Sequence, residues 1–292
     1  MPGRQNQHTA ATLGVLAAAL LFGTTGTVLV NAPSDADAIS VGVLRLAIGG
    51  PTLLLVALGH GRRRALAPWL RRETLLGICG VACFQLGYFL AVERTGVAVG
   101  TVVTIGSGPV FSGIIHSAMT RTPPPRRWAI GTALSIVGVA VLGLAGTATN
   151  AEPIGIALAF VAGLGWAVFA TVAKHQIDDG VHSTAIMAAL FTGAAMVLSP
   201  LLIWHSAAWT LQPSGIGVAL YLGMATVGLA YTLYGFALRH LAAPTVITLT
   251  LLEPITAAIL GAVVVHERVD VVGWAGVAVV LVGLLLTATV TT

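Results

Sequence analysis

An acidic residue stands near the middle of a long apolar stretch, where a charge is costly. Glu253 lies about ten residues inside the segment 243–265 and is followed by Pro254. A charge at the centre of a membrane helix costs at least about 2.5–3.5 kcal/mol, so Glu253 is a candidate binding residue. Pro254 removes a helical bond to the carbonyl of Thr250, and we expect that carbonyl to line a cavity. Glu253 would bind a substrate amine or a proton; the alternative is a structural acid hydrogen-bonded across a helix interface.

A basic residue has similar surroundings. Arg45 lies about seven residues inside the apolar segment 38–59. Two interpretations are open for its guanidinium. It reaches outward to Asp35 or Asp37 just before the segment, as long basic side chains do near helix ends, or it meets the carboxylate of a substrate.

Polar and aromatic side chains at depth are candidates for the wall of a binding pocket. They are Gln85, Tyr88, Thr101, Thr104, Ser107, Trp166, Tyr231, Tyr234, Thr248 and Thr250. Tyr88 and Tyr234 fall near opposite ends of their helices, where they would act as paired gates or stacking walls. The alternative for a Tyr near a helix end is the interfacial aromatic belt. The alternative for hydroxyls such as Thr104 is a bond to their own helix backbone.

A histidine completes the titratable candidates. His116 would titrate near neutral pH, so we group it with Glu253 and Arg45 as possible coupling or charge sites. The alternative is a histidine satisfied within helix packing. Cys79 and Cys83 are one helical turn apart in one apolar segment, and we expect buried thiols there. We expect no cofactor and no metal site.

The elements that position these residues must be membrane helices. Apolar residues make up 57% of the 292 residues, charged residues only 8%, and the mean hydropathy is +0.95. A soluble domain carries roughly 25% charged residues to solvate its surface. The net charge of +4 comes from isolated or loop-clustered basic residues, which suits membrane flanks rather than nucleic acid.

Ten segments are long enough to cross a bilayer, which takes roughly 20 apolar residues. They cover about 10–30, 38–59, 73–92, 97–119, 127–146, 153–173, 183–204, 214–237, 243–265 and 271–289. Backbone groups in lipid must bond internally, so these segments are helices. Of the 14 Lys and Arg residues, only Arg94 and Arg268 fall in one set of alternating loops and Arg45 in a span. The positive-inside rule therefore predicts that both termini are cytoplasmic.

The two halves of the sequence resemble each other. At one constant offset Pro109 aligns with Pro254, and Gly131 and Gly138 align with glycines of the last segment. Simple compositional bias is the alternative explanation. Each half holds five helices, an odd number, so the second half enters the membrane from the opposite face. Inverted repeats of this kind recur in secondary transporters, where they support alternating access.

The chain resembles the EamA-type branch of the drug/metabolite transporter superfamily along nearly its whole length. The resembling pieces are Phe22-Gly23-Thr24, Leu44-Arg45-Leu46, Leu252-Glu253-Pro254, Gly261, Val265-His266-Glu267 and Gly273-Trp274-Ala275-Gly276 to Gly283. The resemblance implies an all-α polytopic membrane protein with two inverted five-helix repeats, 1–150 and 151–292, around a central cavity. Within the family the overall look is nearest the YddG-type amino-acid exporters. One departure is Gly108-Pro109 where the second repeat has Glu253-Pro254, so an acidic role is not duplicated.

The resemblance implies a secondary transporter of the bacterial inner membrane that exports small metabolites, above all aromatic or other neutral amino acids. The alternatives are a multidrug or cation carrier, a carrier of nucleotide-sugar-like metabolites, an intramembrane enzyme, or a channel. An enzyme is disfavoured because Gly-x-Ser-Gly, paired intramembrane aspartates and His-Glu-x-x-His are missing from the sequence. The expected partners are a small-molecule substrate and the lipid bilayer. We expect a monomer, with a dimer as the alternative.

Overall fold

The structure is a computed structural model that describes residues 2–144, 152–266 and 270–288. Within those ranges the regular elements are helical, and ten of the helices are long and apolar enough to cross a membrane. They are α1 (Asn6–Leu29), α2 (Ala38–Gly59), α3 (Arg72–Gly96), α4 (Val99–Thr120), α5 (Arg126–Gly143), α6 (Pro153–Asp178), α7 (Ser183–Ile203), α8 (Pro213–Leu238), α9 (Ala243–Val264) and α10 (Val271–Ala288). The ten predicted segments are therefore confirmed. Glu267, Arg268 and the predicted boundary between the repeats at residues 150 and 151 lie outside the described residues.

Short helices occupy some of the connections. Arg62–Leu66 and Ala67–Leu70 join α2 to α3, and Ala208–Leu211 lies between α7 and α8. The turn between α3 and α4 is so tight that the two helices follow each other across Gly96. Gly96 has a φ of 81°, a conformation that glycine adopts at little cost and other residues avoid.

Two spans are irregular at depth. In α8 the residues Met224–Leu229 form a π-helical stretch. In α9 a turn at residues 250 and 251 separates Ala243–Leu249 from Leu252–Val264. Pro254 thus lies in the first turn of a new helix, where its missing N–H costs little. The expectation of a free Thr250 carbonyl is wrong, because that oxygen accepts from the N–H of Glu253 at 2.9 Å.

Polar contacts between the connections sort them into two ends of the bundle. At one end Arg71 Nη1 lies 2.8 Å from Asp179 Oδ2 and joins the α2–α3 connection to the α6–α7 connection. At the other end Trp209 Nε1 donates to Ser40 Oγ at 3.0 Å and joins the α7–α8 connection to the start of α2. We call the first the basic end, because it carries the clusters of arginine, and the second the opposite end. Successive connections thus alternate between the ends, as membrane crossings require.

Small residues let pairs of helices approach closely. A Cβ atom on Gly165 of α6 would lie 2.8 Å from the backbone nitrogen of Phe84 on α3. A Cβ on Gly276 of α10 would lie 2.7 Å from the backbone nitrogen of Leu142 near the end of α5. Distances under about 3 Å leave no room for a side chain, so these contacts require glycine. Such backbone contact is how membrane helices associate where hydrophobicity gives little driving force.

The expectation about the two cysteines is wrong. Cys79 and Cys83 are exposed, on a helix whose residues Leu75 and Leu76 are also exposed. In a membrane protein an apolar outer surface faces lipid, so an exposed face is as apolar as a buried one. The sequence pattern therefore did not distinguish a thiol in the core from a thiol on the lipid-facing surface.

Candidate functional site

Two side chains of opposite charge lie at depth in the bundle. Arg45 is seven residues from the start of α2 at the opposite end, and Glu253 is ten residues from the start of α9 at the basic end. At 1.5 Å per residue these positions are roughly 10 Å and 15 Å inside the helices. Both side chains remain partly accessible. Partial accessibility distinguishes both side chains from the fully buried residues of the core.

Neither of the two charged groups is paired with another described residue. Within the described part of the chain neither group has a hydrogen bond or an ion pair, so the guanidinium and the carboxylate lie more than 4.0 Å apart. The Nε of Arg45 is buried without a hydrogen-bond partner. Each charge nevertheless acts electrostatically on the hydroxyls of Tyr88 and Tyr231. The four side chains therefore lie within electrostatic range of one another, and we call the region among them the internal space.

Arg45 does not reach outward to the aspartates before its helix. Asp37 accepts from the N–H groups of Ile39 and Ser40 at 3.0 Å each and lies 3.0 Å from His205 Nδ1. Asp35 accepts from Gln212 Nε2 at 3.3 Å. The interpretation in which Arg45 pairs with one of them is wrong. The reason is that Asp37 already serves as the N-cap of α2, a position that holds its carboxylate against the helix start.

A layer of buried aromatic rings lies between this space and the basic end. We call it the aromatic layer; its members are Trp166, Phe169, Phe191, Tyr231 and Tyr234. The ring centroids of Phe191 and Tyr231 are 4.0 Å apart, and those of Tyr231 and Tyr234 are 5.5 Å apart. Trp166 Nε1 donates to the Tyr234 hydroxyl at 3.3 Å. Rings from α6, α7 and α8 thus form one continuous packed barrier.

The two halves of the broken helix α9 show the same asymmetry. All seven residues of Ala243–Leu249, the half at the basic end, are buried. In Leu252–Val264, the half at the opposite end, only Ile255 and Gly261 are buried. The basic-end half of α9 is therefore packed within the bundle, whereas the other half is more exposed.

Known proteins place this arrangement in a family. The model of the EamA-like transporter family matches the chain twice, at residues 9–144 and 153–289. The chain belongs to the EamA-like transporter family. It is similar to the uncharacterized transporter YwfM of Bacillus subtilis (strain 168), with 35% identity over 274 residues that cover 94% of this chain and 92% of that protein.

Two further comparisons add detail. The threonine/homoserine exporter RhtA of Escherichia coli (strain K12) is 29% identical over 248 residues, which cover 82% of this chain and 76% of that protein. A solved crystal structure superposes with a TM-score of 0.83 at 18% identity, over 95% of this chain and 96% of its own. That likeness supports the fold alone. With ten apolar helices and bacterial relatives that are named transporters, this EamA-like protein is a multi-pass inner-membrane transporter.

The structure brings several predicted site residues together around the internal space. Arg45, Glu253, Tyr88 and Tyr231 surround it, and Thr101 joins them through a 3.1 Å hydrogen bond to the Tyr88 hydroxyl. Of the remaining predictions, Trp166 and Tyr234 lie in the aromatic layer, and Gln85 is buried. Its Nε2 donates to the carbonyl of Gly42 at 3.0 Å and ties α3 to α2 beside Arg45.

Other predicted residues lie in helix contacts instead. Ser107 Oγ donates to the carbonyl of Thr104 at 3.2 Å, and a Cβ on Gly163 would lie 3.0 Å from that same carbonyl. Both hydroxyl residues therefore pack between α4 and α6. Thr248 donates to the carbonyl of Pro244 at 2.9 Å and lies 3.0 Å from the hydroxyl of Thr132 on α5.

Two further predicted residues, Thr250 and His116, have no contact that places them at the internal space within the described part of the chain. Thr250 donates its hydroxyl to the carbonyl of Ile247 at 2.7 Å and stabilises the turn that breaks α9. His116 lies four residues before the end of α4 at the basic end, and no contact among the described residues joins it to the internal space. A small hydroxyl or a single His contacts a neighbouring helix as readily as it lines a cavity. The sequence alone does not distinguish these two environments.

Sequence reasoning missed four phenylalanines. Phe169 and Phe191 belong to the aromatic layer, Phe22 lies 5.1 Å from Tyr231, and Phe84 lies 5.9 Å from Trp166 between ring centroids. One available indication was spacing, since Phe169 follows Trp166 by three residues and therefore shares its helix face. The same indication applied to Phe84, which precedes Tyr88 by four residues and shares its helix face. Phe22 and Phe191 are single aromatics in apolar helices, where nothing in the sequence distinguishes an inward from an outward ring.

Proposed function

We propose that this transporter exports small neutral amino acids, with Arg45 binding the substrate carboxylate and Glu253 its ammonium group. The observation that carries the proposal is a pair of opposite charges beside one internal space, more than 4.0 Å apart, neither of which has an ion pair or hydrogen bond within the described residues. A charge at this depth costs a few kcal/mol unless it is compensated. A zwitterion supplies one compensating charge to each group at once. A substrate with a single charge would leave one of them unmatched.

The surroundings favour a neutral side chain on that zwitterion. The floor of the space consists of the aromatic layer together with Phe22 of α1, and the hydroxyls of Tyr88 and Thr101 lie at its side. Aromatic faces attract apolar groups and the ammonium itself, and the hydroxyls accommodate a polar substituent. The relative RhtA is named for threonine and homoserine, both of which are neutral. Aromatic amino acids meet the same requirements if the space admits their rings.

Alternating access provides the mechanism of the proposal. Two matches of one family model in a single chain support two related halves, and five spans in each half would give them inverted orientations. By the positive-inside rule the basic end is cytoplasmic. The buried aromatic layer would then be the inner barrier, and the structure would be a state closed toward the cytoplasm. Export requires the opposite state, in which the layer parts and the substrate enters from the cytoplasm.

The test is counterflow in proteoliposomes with radiolabelled threonine, homoserine and phenylalanine. We expect saturable exchange that Arg45→Gln and Glu253→Gln both abolish. Losing one partner of a buried charge contact costs about 2–5 kcal/mol, which is about 30-fold or more in affinity. The matched controls are Arg94→Gln and Glu152→Gln, which remove an exposed ion pair of 3.3 Å at the opposite end; these should transport normally.

Three outcomes separate the alternatives. Normal exchange in Glu253→Gln would rule out ammonium binding by this carboxylate. Exchange that survives in Glu253→Gln while uphill transport driven by a pH gradient is lost would assign Glu253 to proton coupling instead of ammonium binding. Transport of a cationic dye such as ethidium, unaffected by Arg45→Gln, would show an organic-cation carrier and would refute the zwitterion proposal.

A further inference from the structure

A second cavity lies at the basic end, well away from Arg45 and Glu253. Its volume is about 420 Å³, within the range of roughly 300–1,000 Å³ that ligand pockets occupy. Three connections of the bundle meet there. The basic residues of its lining are Arg64 after α2, Arg71 before α3, His182 before α7 and Arg239 after α8. Among the described residues, Asp179 is the one acidic member of the lining.

The charges of this cavity do not cancel among the described residues. Arg71 is paired with Asp179 at 2.8 Å. Arg64 and Arg239 have no ion pair in the described part of the chain, and both are exposed. Two full positive charges therefore remain, with a histidine beside them. Burial, together with the neighbouring His60, Arg239 and Arg64, lowers the pKa of His182 below its ordinary value. An anion in the cavity would relieve this mutual repulsion.

The start of helix α7 adds to the positive field. Val181 and His182 line the cavity, and α7 begins at Ser183 directly after them. His182 makes no side-chain cap to the helix, and its ring nitrogen Nδ1 instead lies 2.7 Å from the hydroxyl of Thr184. The positive end of a helix dipole stabilises anions, phosphates above all.

The α2–α3 connection has the features of a segment at the membrane surface. Arg62–Leu66 and Ala67–Leu70 are two short helices whose Leu66 and Leu70 are 42% and 88% exposed. Arginines flank these exposed leucines on both sides in the sequence, and Arg64 and Ala67 line the cavity. Apolar side chains that dip into acyl chains next to basic ones at the headgroup level are typical of interfacial helices. The cavity is therefore placed at the depth of lipid headgroups.

We propose that the cavity lined by Arg64, His182 and Arg239 binds the phosphate group of an anionic phospholipid from the leaflet at the basic end. Arginine forks are suited to phosphate oxygens, and basic pockets of this kind between membrane helices hold anionic headgroups. The lipid would join the connections after α2, before α7 and after α8. This site is independent of the proposed transport function, because none of its residues borders the space between Arg45 and Glu253.

The experiment is native mass spectrometry of the detergent-purified transporter titrated with dioleoyl phosphatidylglycerol, with dioleoyl phosphatidylcholine as the neutral reference. Each arginine near a lipid surface contributes about fivefold in affinity, so Arg64→Gln with Arg239→Gln should weaken phosphatidylglycerol binding about 30-fold. The control Arg62→Gln with Arg63→Gln removes the same number of charges at the same end of the bundle, from residues beside Arg64 that lie outside the cavity lining. That control should bind as the wild type does.

Several results would overturn the proposal. An equal loss of phosphatidylglycerol affinity in both double variants would mean that the lipid responds to diffuse surface charge and not to the cavity. Equal binding of phosphatidylglycerol and phosphatidylcholine would mean that the site does not select an anionic headgroup. Displacement of the lipid by millimolar inorganic phosphate, with saturable phosphate binding of its own, would identify a free anion as the ligand. If the double variant fails to fold, Arg239→Gln alone should still show the fivefold loss. Preserved binding in that single variant would equally refute the site.

Discussion

The contact between Asp37 and His205 holds two connections together at the opposite end, and removing it gives a measurable prediction. Asp37 accepts from the N–H groups of Ile39 and Ser40 at 3.0 Å each, which caps helix α2. Its Oδ1 also lies 3.0 Å from His205 Nδ1 in the α7–α8 connection. The substitution Asp37→Ala removes both interactions at once.

The expected loss of stability is the sum of two contributions, the N-cap of α2 and the pair with His205. Loss of an N-cap side chain costs typically about 1 kcal/mol. The pair with His205 contributes only a few tenths of a kcal/mol, because the side chains are 40% and 34% exposed and the charges are screened. The sum is about 1–1.5 kcal/mol, and for a chain of this size each kcal/mol lowers the melting temperature by roughly 2–4 °C. We expect Asp37→Ala to unfold roughly 2–6 °C below the wild type.

The pH dependence of this effect has a definite sign. Burial raises the pKa of Asp37, but hydrogen bonds from Ser40 and Ile39 and the nearby His205 outweigh it and leave the pKa below its ordinary value of 3.8. A carboxyl group with a depressed pKa stabilises the folded state fully above its unfolded pKa. That contribution disappears as the pH falls from 3.8 through the lower folded value. The difference between wild type and variant should therefore shrink in acid.

The assay is thermal unfolding of the detergent-purified protein, followed by intrinsic fluorescence at neutral pH and below pH 3.8. The matched control is Asp35→Ala, since Asp35 has a single 3.3 Å hydrogen bond from Gln212 at an exposed position. We expect little change for that control. Equal melting temperatures for the two variants, or a difference that stays constant in acid, would refute the capping argument.

Two further substitutions test the packing. Tyr234→Phe removes the acceptor of the buried Trp166 N–H at 3.3 Å, which should lower the free energy of unfolding by about 1–3 kcal/mol. Combining it with Trp166→Phe should lower the free energy of unfolding by clearly less than the sum of the two single effects. Simple additivity in thermal unfolding would mean that the bond is not formed. Gly276→Ala places a Cβ 2.7 Å from the backbone nitrogen of Leu142, so it should destabilise by about 1–3 kcal/mol. Gly217→Ala, with nothing within 4 Å of the added Cβ, should be neutral or stabilising, and similar melting temperatures for the two alanine variants would contradict the α5–α10 contact.

The spans were predictable because the bilayer imposes a single rule on them. A helix must carry roughly 20 apolar residues to cross, and the chain has short polar connections between such stretches. The predicted segment 153–173 ended early only because Lys174 and Asp178 lie on the last turn of α6, where they pair with each other at 2.6 Å. Charged residues at the interface end an apolar stretch in the sequence before they end a helix in space.

The site was predictable only where its chemistry contrasts with its surroundings. Arg45 and Glu253 stand out because a charge in an apolar helix needs a reason. Thr104, Ser107 and Thr248 carry no such contrast, and they turned out to lie in helix contacts. The phenylalanines of the aromatic layer were missed for the converse reason. In a soluble helix the apolar stripe marks the inner face. In lipid both faces are apolar, so the sequence pattern does not indicate which face of the helix points inward.

The break in α9 favours a carboxylate at this depth, where the side chain of Glu253 has no hydrogen bond or ion pair within the described residues. The turn at residues 250 and 251 starts a new helix inside the membrane, and Glu253 lies in the first turn of that helix. The positive end of a helix dipole favours a carboxylate by about 0.3–1 kcal/mol, and by up to about 2 kcal/mol where water is partly excluded. Arg45 adds a second favourable field from beyond contact distance. Neither effect requires a bond to the carboxylate oxygens, which have no hydrogen-bond partner in the part of the chain that the structure describes, so the group remains available to a ligand. A direct ion pair with Arg45 would stabilise the same charge and close the site.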